Sequence, residues 1–434
     1  MGLNMTLEKC DVAIVGGGIL GTTISYWLSA LYDLKICVIE KERDVAMHTS
    51  SRNTGLVHSP LHIDPKKNNV IARCAYVGRD WWHALAKKRS LPWKEIGKLE
   101  VALDEKQHKT LEKFQKWGVE NGMSENELEI MDSKQVSQME PNVKCHSAIF
   151  SKRDVSTDYG ILTKQVMMES QKNGTKFLFD HNVVNVEENS EVKLTFTDNS
   201  ILTSKLLINC AAGHSLDIAK KLGLANEYAH LFFRGEYWVN GNQYDSVKTN
   251  IYSVPTNSQF PFLNPHLIKR ANGETHVGPN AALVSGPEVY QGSTSDLSST
   301  ISEILEIFHG SPRKLFFNRA FLSMVKKEWL SSISKTAMIN RVKKFVPSIR
   351  SKSFSKRGVA GIRANIITPE GTFLPEVMEL KGNHSFHIIN YNSPGATGAA
   401  AYSALVVKKL QDAGFLDYTQ KPKNTIWNFE EIIN

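Results

Sequence analysis

Four glycines, Gly16, Gly17, Gly18 and Gly21, stand between a β-branched run at residues 11–15 (DVAIV) and apolar residues at helical spacing from Thr22 to Leu31. Strand, tight turn and helix in that order make an anion cradle. Gly16 permits the turn, Gly18 lets the backbone approach a pyrophosphate, and Gly21 lets the helix pack closely on the strand. The first helical turn adds free N–H groups and the positive end of a dipole. A second strand, KICVI, ends in Glu40 about 20 residues past the glycines, where a carboxylate accepts both ribose hydroxyls, and Lys41 follows at the same edge. A 2′-phosphate would be repelled by Glu40, which leaves NAD or FAD as the nucleotide.

Residues 182–213 are the second informative segment. Two alternating stretches, VVNVEE, which contains Val184, and VKLTFTD, meet at a turn and lead through ILTSKLLINCAAG. The pattern predicts a β-hairpin, a buried strand from Leu206 to Asn209 and a small-residue turn at Ala211, Ala212 and Gly213. It is similar to an arrangement of glutathione-reductase-like flavoproteins, in which such small residues pass close beside the dinucleotide. That resemblance favours FAD.

The run MHTSSRNTGLVHS, Met47 to Ser59, resembles the flavin-proximal segment of L-2-hydroxyglutarate dehydrogenases and oxidases of the D-amino-acid-oxidase-like superfamily. A His-x-Thr, Arg-Asn-Ser/Thr-Gly and His series recurs there. FFRGEYW (232–238), FPFLNPHLIKRANGETHVGPNAAL (260–283), GIRANIITPEG (361–371) and INYNSPGATGAAAYSALVV (389–407) agree with that family in order. The resemblance implies FAD contacts from His48, Thr49, Ser50, Arg52, Asn53, Arg363 and the turn Pro394, Gly395, Ala396, Thr397. It also implies a helix after Pro394 aimed at the flavin pyrimidine edge, with Gly398 and Ala399 to Ala401 keeping it slim against the cofactor. One departure concerns the substrate wall, where Ser59 and Pro60, followed by Leu61 and His62, stand in place of the family's small residue and glycine. Malate:quinone oxidoreductases share the His58-like position and the Ser-Pro-Gly-Ala turn, so L-malate stays beside L-2-hydroxyglutarate as the substrate.

Oxidising a 2-hydroxy acid removes the hydroxyl proton while the C2 hydride passes to the flavin, so the site needs a base and a carboxylate clamp. His58 follows the flavin-side run, and His266 lies in an alternating segment that suggests a strand facing the cofactor. Either can be the base. Arg363 in GIRA follows a turn at Gly358 and Gly361 and could hold a carboxylate through two parallel hydrogen bonds. Arg234 is a second clamp candidate, although Glu236 nearby could neutralise it in a structural ion pair. Arg52 suits a phosphate contact or the fixing of its own loop. No metal-ligand spacing is visible.

These residues require an α/β (α+β) chain in which a glutathione-reductase-like FAD-binding Rossmann domain is interleaved with a mixed-sheet substrate domain. The expected cofactor-side segments are 1–85, 150–225 and 356–434, with substrate-side insertions at 86–149, largely helical, and 226–355, strands followed by helices from about Leu297 to Val346. The 434 residues, 41% hydrophobic, suffice for two cores. A formal charge of +8, from 52 Lys plus Arg against 44 Asp plus Glu, suits anionic ligands or an anionic membrane surface. It forms no concentrated basic stripe, so nucleic acid is not an expected partner, which argues against a tRNA-modifying flavoprotein. Five scattered cysteines point to a reducing compartment, and the absence of a signal or an apolar span to a cytoplasmic protein. The late helices mix Phe321, Leu322, Trp329 and Leu330 with Lys326, Lys327, Lys343 and Lys344, which fits either peripheral contact with the inner face of a membrane or core packing under a basic surface. Gly2 fits a loose myristoylation pattern. With no second nucleotide motif for NAD(P), electrons are expected to reach a quinone, a carrier flavoprotein or oxygen. An amine oxidase of the glycine or sarcosine type shares the fold and is the enzymatic alternative.

Overall fold

The computed structural model describes residues 6–240, 246–255, 260–262, 264–291, 311–421 and 425–434. The Gly2 pattern and the start of the late helices at Leu297 lie outside them. Along the chain, β1 (Cys10–Val15), α1 (Ile19–Leu31) and β2 (Ile36–Ile39) are followed by α2 (Asn69–Arg89), β3 (Lys98–Ala102), β4 (Ser147–Ser151), β5 (Val155–Thr157) and β6 (Ile201–Asn209). Then come β7 (Ala229–Gly235), β8 (Asn250–Ser253), β9 (His266–Lys269), α3 (Arg319–Ile333), β10 (Gly361–Ile367), β11 (Ser385–Ile389) and α4 (Gly395–Asp412).

The cofactor-side sheet has eight strands with β1 near its centre, parallel to β2 on one side and to β6 on the other. Parallel strands covered on both faces are apolar throughout, which is why DVAIV and KICVI read as continuous runs. On the edge away from β1 the nine residues of β6 serve two further neighbours. Ile201 to Ser204 pair with the hairpin strand Val192–Phe196, and Leu207 to Asn209 pair with β11. A second eight-stranded sheet runs in the order 356–357, 238–240, 275–278, β9, β8, β3, β4, 128–132. A three-stranded sheet places β7 between strand Ala282–Val284 and β10.

Two expectations are refined here. The insertion at 86–149 holds more helix than strand, yet β3, β4 and Leu128–Asp132 are neighbouring strands of the second sheet beside the helices Glu105–Glu120 and Ser133–Met139. The expected divisions also cut through elements: residue 85 lies inside α2, residue 150 inside β4, and Lys356–Arg357 pairs with Trp238 and Val239 of the second sheet.

Gly398 and Ala399 to Ala401 of α4 serve helix packing rather than the cofactor. A Cβ at Gly78 of α2 would meet the Thr397 carbonyl oxygen at 2.2 Å, and one at Gly398 would meet Cys74 at 3.1 Å. Ala399, Ala400 and Ala401 are fully buried, Trp27 Nε1 donates to the Ala400 carbonyl at 2.8 Å, and Thr23 and Ser403 hydroxyls pair at 2.5 Å. The late helices divide their residues. Phe321, Met338 and Phe345 enter the core, whereas Phe317, Leu322, Leu330 and Ile333 stay exposed. Among the described residues no helix is long and apolar enough to cross a membrane.

Candidate functional site

At the end of β1, Gly16 takes φ +109°, and a Cβ there would lie 2.5 Å from the Cys210 carbonyl oxygen, so the turn needs glycine for conformation and for space. Gly21 is the packing position, since a Cβ there would come within 2.0 Å of the Gly16 carbonyl oxygen. Gly18 differs. Its added Cβ would meet only the Ser50 hydroxyl, at 3.1 Å, so what it keeps open is the space in front of α1. Glu40, buried, accepts from the Gly17 N–H at 2.8 Å and from the Glu42 N–H at 2.9 Å, which pins the carboxylate at the strand end while leaving lone pairs for further donors.

A cavity of about 630 Å³ opens in front of this turn, within the range of ~300–1,000 Å³ typical of cofactor sites. It is lined by Gly16, Gly18, Glu40 and Lys41, by His48, Thr49, Ser50, Arg52 and Asn53, by Val184, Ala211 and Gly213, and by Pro394, Gly395, Ala396 and Thr397. His58, His266 and Arg363 line the same cavity. Both α1 and α4 begin on its wall, α1 with its first N–H donated to Ser50 Oγ at 2.8 Å and α4 without a side-chain cap from Pro394, so two helix N-termini with positive dipole ends face one space. That donor set fits a dinucleotide with a pyrophosphate and a second electron-rich group.

The loop between β2 and α2 is fixed by its own polar residues. Arg52 Nε donates to the Met47 carbonyl at 2.9 Å and its guanidinium lies 4.1 Å from the Tyr290 ring centroid, while Asn53 Nδ2 donates to the Ser50 carbonyl at 2.8 Å. Lys41 Nζ lies 2.5 Å from Glu42, 2.7 Å from Glu288 and 2.9 Å from His48 Nε2. Its ammonium thereby sits among the ligand atoms of Glu42, His48 and Glu288 in the place a metal cation would take.

His58 is held twice. Its backbone N–H donates to Thr397 Oγ1 at 3.0 Å, and that hydroxyl also contacts the Tyr159 OH at 2.9 Å. Its ring Nδ1 lies 3.3 Å from Asp154 Oδ1. Asp154 is fully buried, and its other oxygen accepts from Ser59 at 2.7 Å. Burial works against the Asp154 charge, but Lys98 and His58 outweigh it and hold the carboxyl well below its usual range. An ionised Asp154 needs a proton on His58 Nδ1, which leaves Nε2 as the bare basic nitrogen. Burial also lowers the proton affinity of His58 below an ordinary histidine, with Asp154 opposing and Lys98 assisting, so the ring is a neutral acceptor at physiological pH.

His266 is different. Its Nδ1 donates to the Asn264 carbonyl at 2.9 Å, its Nε2 is buried with no hydrogen-bond partner among the described residues, and burial pushes it down to about 3. It stacks on Tyr252 with ring centroids 3.7 Å apart, and Tyr252 meets His58 edge-on at 6.0 Å. Arg363, on β10 opposite Phe233 of β7, donates from Nη1 to the Pro261 carbonyl, and burial lowers its proton affinity without removing its charge. Arg234 does not join it. Phe233 and Gly235 line the cavity, so the alternation of a strand sends Arg234 to the opposite face, where it pairs with Glu236 at 3.3 Å and donates to the Val289 carbonyl. The expectation of Arg234 as a clamp is corrected on that ground.

Sequence reasoning missed Asp154, Tyr252 and the buried pair Lys98 and Glu100. A signal for the pair existed in KLEVA, where two charges two residues apart in an otherwise apolar strand must share one face. Asp154 carried none, because its partner lies 96 positions away.

Residues 11–409 match the family model described as FAD dependent oxidoreductase. The chain is 29% identical over 419 residues to the mitochondrial L-2-hydroxyglutarate dehydrogenase of Caenorhabditis briggsae, covering 94% of each chain. It is 26% identical over 404 residues to the L-2-hydroxyglutarate dehydrogenase of Salmonella houtenae, covering 92% of this chain and 93% of the relative. Its fold is similar to that of the dithionite-reduced, FAD-bound L-alpha-glycerophosphate oxidase of Mycoplasma pneumoniae, with a TM-score of 0.75 at 20% identity over 96% of this chain and 97% of that one.

Proposed function

The chain belongs to the FAD dependent oxidoreductase family, and within it we propose oxidation of L-2-hydroxyglutarate to 2-oxoglutarate. The reading rests on one observation: a histidine backed by a buried carboxylate shares a cavity with an inward-facing arginine and a dinucleotide turn. The names of the relatives favour the five-carbon acid over L-malate.

Bound FAD supplies the two-electron acceptor that receives the substrate's C2 hydride. Arg363 binds a substrate carboxylate and fixes the position of C2. His58 takes the hydroxyl proton on Nε2, and Asp154 stabilises the imidazolium that forms. His266 is too weak a base for this step and supports Tyr252 beside His58 by stacking. The uncapped N-terminus of α4 stabilises negative charge arriving in the cavity without reorganisation. A quinone is the acceptor this reading favours. Exposed Phe317, Leu322, Leu330 and Ile333 beside Lys326 and Lys327 support peripheral contact with an anionic bilayer, where a quinone dissolves.

Anaerobic mixing of the yellow protein with L-2-hydroxyglutarate, D-2-hydroxyglutarate, L-malate, glycine and sarcosine tests the substrate. Bleaching by L-2-hydroxyglutarate at the highest kred/Kd is expected. Preferential bleaching by glycine or sarcosine would replace the hydroxy acid by an amine.

A further inference from the structure

Behind His58 the protein buries an ionic chain that the proposed reaction does not require as such. Lys98 is fully buried on β3, and its ammonium has no hydrogen-bond partner among the described residues although it lies 3.6 Å from Asp154 Oδ1 and 3.8 Å from Glu100 Oε2. Glu100, also buried, is in short contact with His62 Nε2, and His62 reaches solvent with 28% of its side chain exposed. The order is therefore His58, Asp154, Lys98, Glu100, His62, from the cavity wall to the surface. A buried lysine without hydrogen bonds costs free energy, and apolar side chains of similar volume would pack the site more cheaply. Its retention needs a function.

We propose that Lys98 is a positioning residue for His58: its ammonium, balanced by Glu100, offsets the pull of the ionised Asp154 on the His58 ring, and together with His62 it sets how readily His58 takes the substrate's proton. The proposal rests on His58 being the base. The groups facing His58 are Asp154 from the turn after β4, Lys98 and Glu100 from β3, His62 from the one-turn helix at 60–62, Tyr252 from β8 and His266 from β9. Of these, Asp154 favours the imidazolium, whereas Lys98 and His62 disfavour it. A neutral residue in place of Lys98 should therefore make His58 more basic, and removing Glu100 as well should restore the balance.

The test uses the FAD-loaded full chain with Lys98→Met, the double variant Lys98→Met/Glu100→Gln, His62→Gln and His58→Gln. Two readouts are the pH dependence of anaerobic flavin reduction by L-2-hydroxyglutarate and nitrogen NMR of histidine-labelled oxidised protein, the His58 signal being the one lost in His58→Gln. Lys98→Met should move the acidic limb and the His58 titration upward by on the order of one pH unit. The double variant should return both toward wild type, and His62→Gln should shift both upward by less. His62 is partly exposed, so its variant stays informative if Lys98→Met does not fold. A loss of rate by one factor at every pH, with the His58 titration unmoved in Lys98→Met and His62→Gln, would overturn the proposal. If instead His58→Gln reduces the flavin at the wild-type rate, the base assignment itself fails.

Discussion

Replacing Asp154 by asparagine changes one atom type at the buried end of the His58 pair and tests what that pair does. The amide can donate to His58 Nδ1, which would move the ring proton to Nε2 and block the nitrogen that must accept the substrate's proton. The substitution also removes a charge 3.3 Å from the imidazolium. At an effective dielectric of about 20 that interaction is about 5 kcal/mol. Lys98, 3.6 Å from the same oxygen, and the 16% exposure of the His58 side chain reduce it, so about 3 kcal/mol of transition-state stabilisation should be lost, roughly a hundredfold in rate. Stopped-flow flavin reduction at saturating substrate reads this directly, with FAD content and Tm as controls because Lys98 loses one of its two counter-charges. Substrate Kd should change little. A variant that keeps its FAD and its fold yet reduces within a few-fold of wild type would refute the role given to Asp154.

Arg363→Ala should lower kcat/KM by roughly a hundredfold, about 3 kcal/mol for a lost charged hydrogen-bonding pair, and raise KM, which steady-state kinetics across substrate concentration will show. Gly21→Ala should prevent folding, since its Cβ has only 2.0 Å to the Gly16 carbonyl oxygen, whereas Gly18→Ala should fold and lose FAD affinity, as flavin titration of the apoprotein would reveal. Burial pushes His266 down to about 3 and His387 down to about 4. Their unfolded forms take up protons that the folded protein resists, so stability is full above about pH 6.5 and falls as pH drops toward about 4. Thermal melts across that window should show it, with a shallower fall in His387→Gln.

What was legible in the sequence was local. The glycine turn, Glu40, the hairpin before β6 and the helix after Pro394 each occupy one short stretch whose spacing carries its own geometry. The strands β3, β4 and Leu128–Asp132 stay hidden within a largely helical insertion because KLEVA and LEIMD are short, charged and interrupted by helices. The choice for Arg234 between a clamp and an ion pair with Glu236 turns on a single bit, which face of β7 meets the cavity; Phe233 and Gly235 supply it, in favour of the ion pair, only once the sheet is assembled. Long-range pairs were invisible for the same reason. His58 and Asp154 meet because segments 96 positions apart lie side by side, Tyr252 and His266 because two consecutive strands pair, and no periodicity encodes either meeting.

The central claim, that His58 and not His266 takes the substrate's proton, is tested most directly by anaerobic reduction of His58→Gln and His266→Gln by L-2-hydroxyglutarate. Both variants should bind FAD, and the His58 variant should lose at least on the order of a hundredfold in the rate of flavin reduction together with the acidic limb of its pH profile. His266→Gln should keep that limb and lose far less rate. The reverse order, with His266→Gln the slower protein and the acidic limb surviving in His58→Gln, would contradict the account.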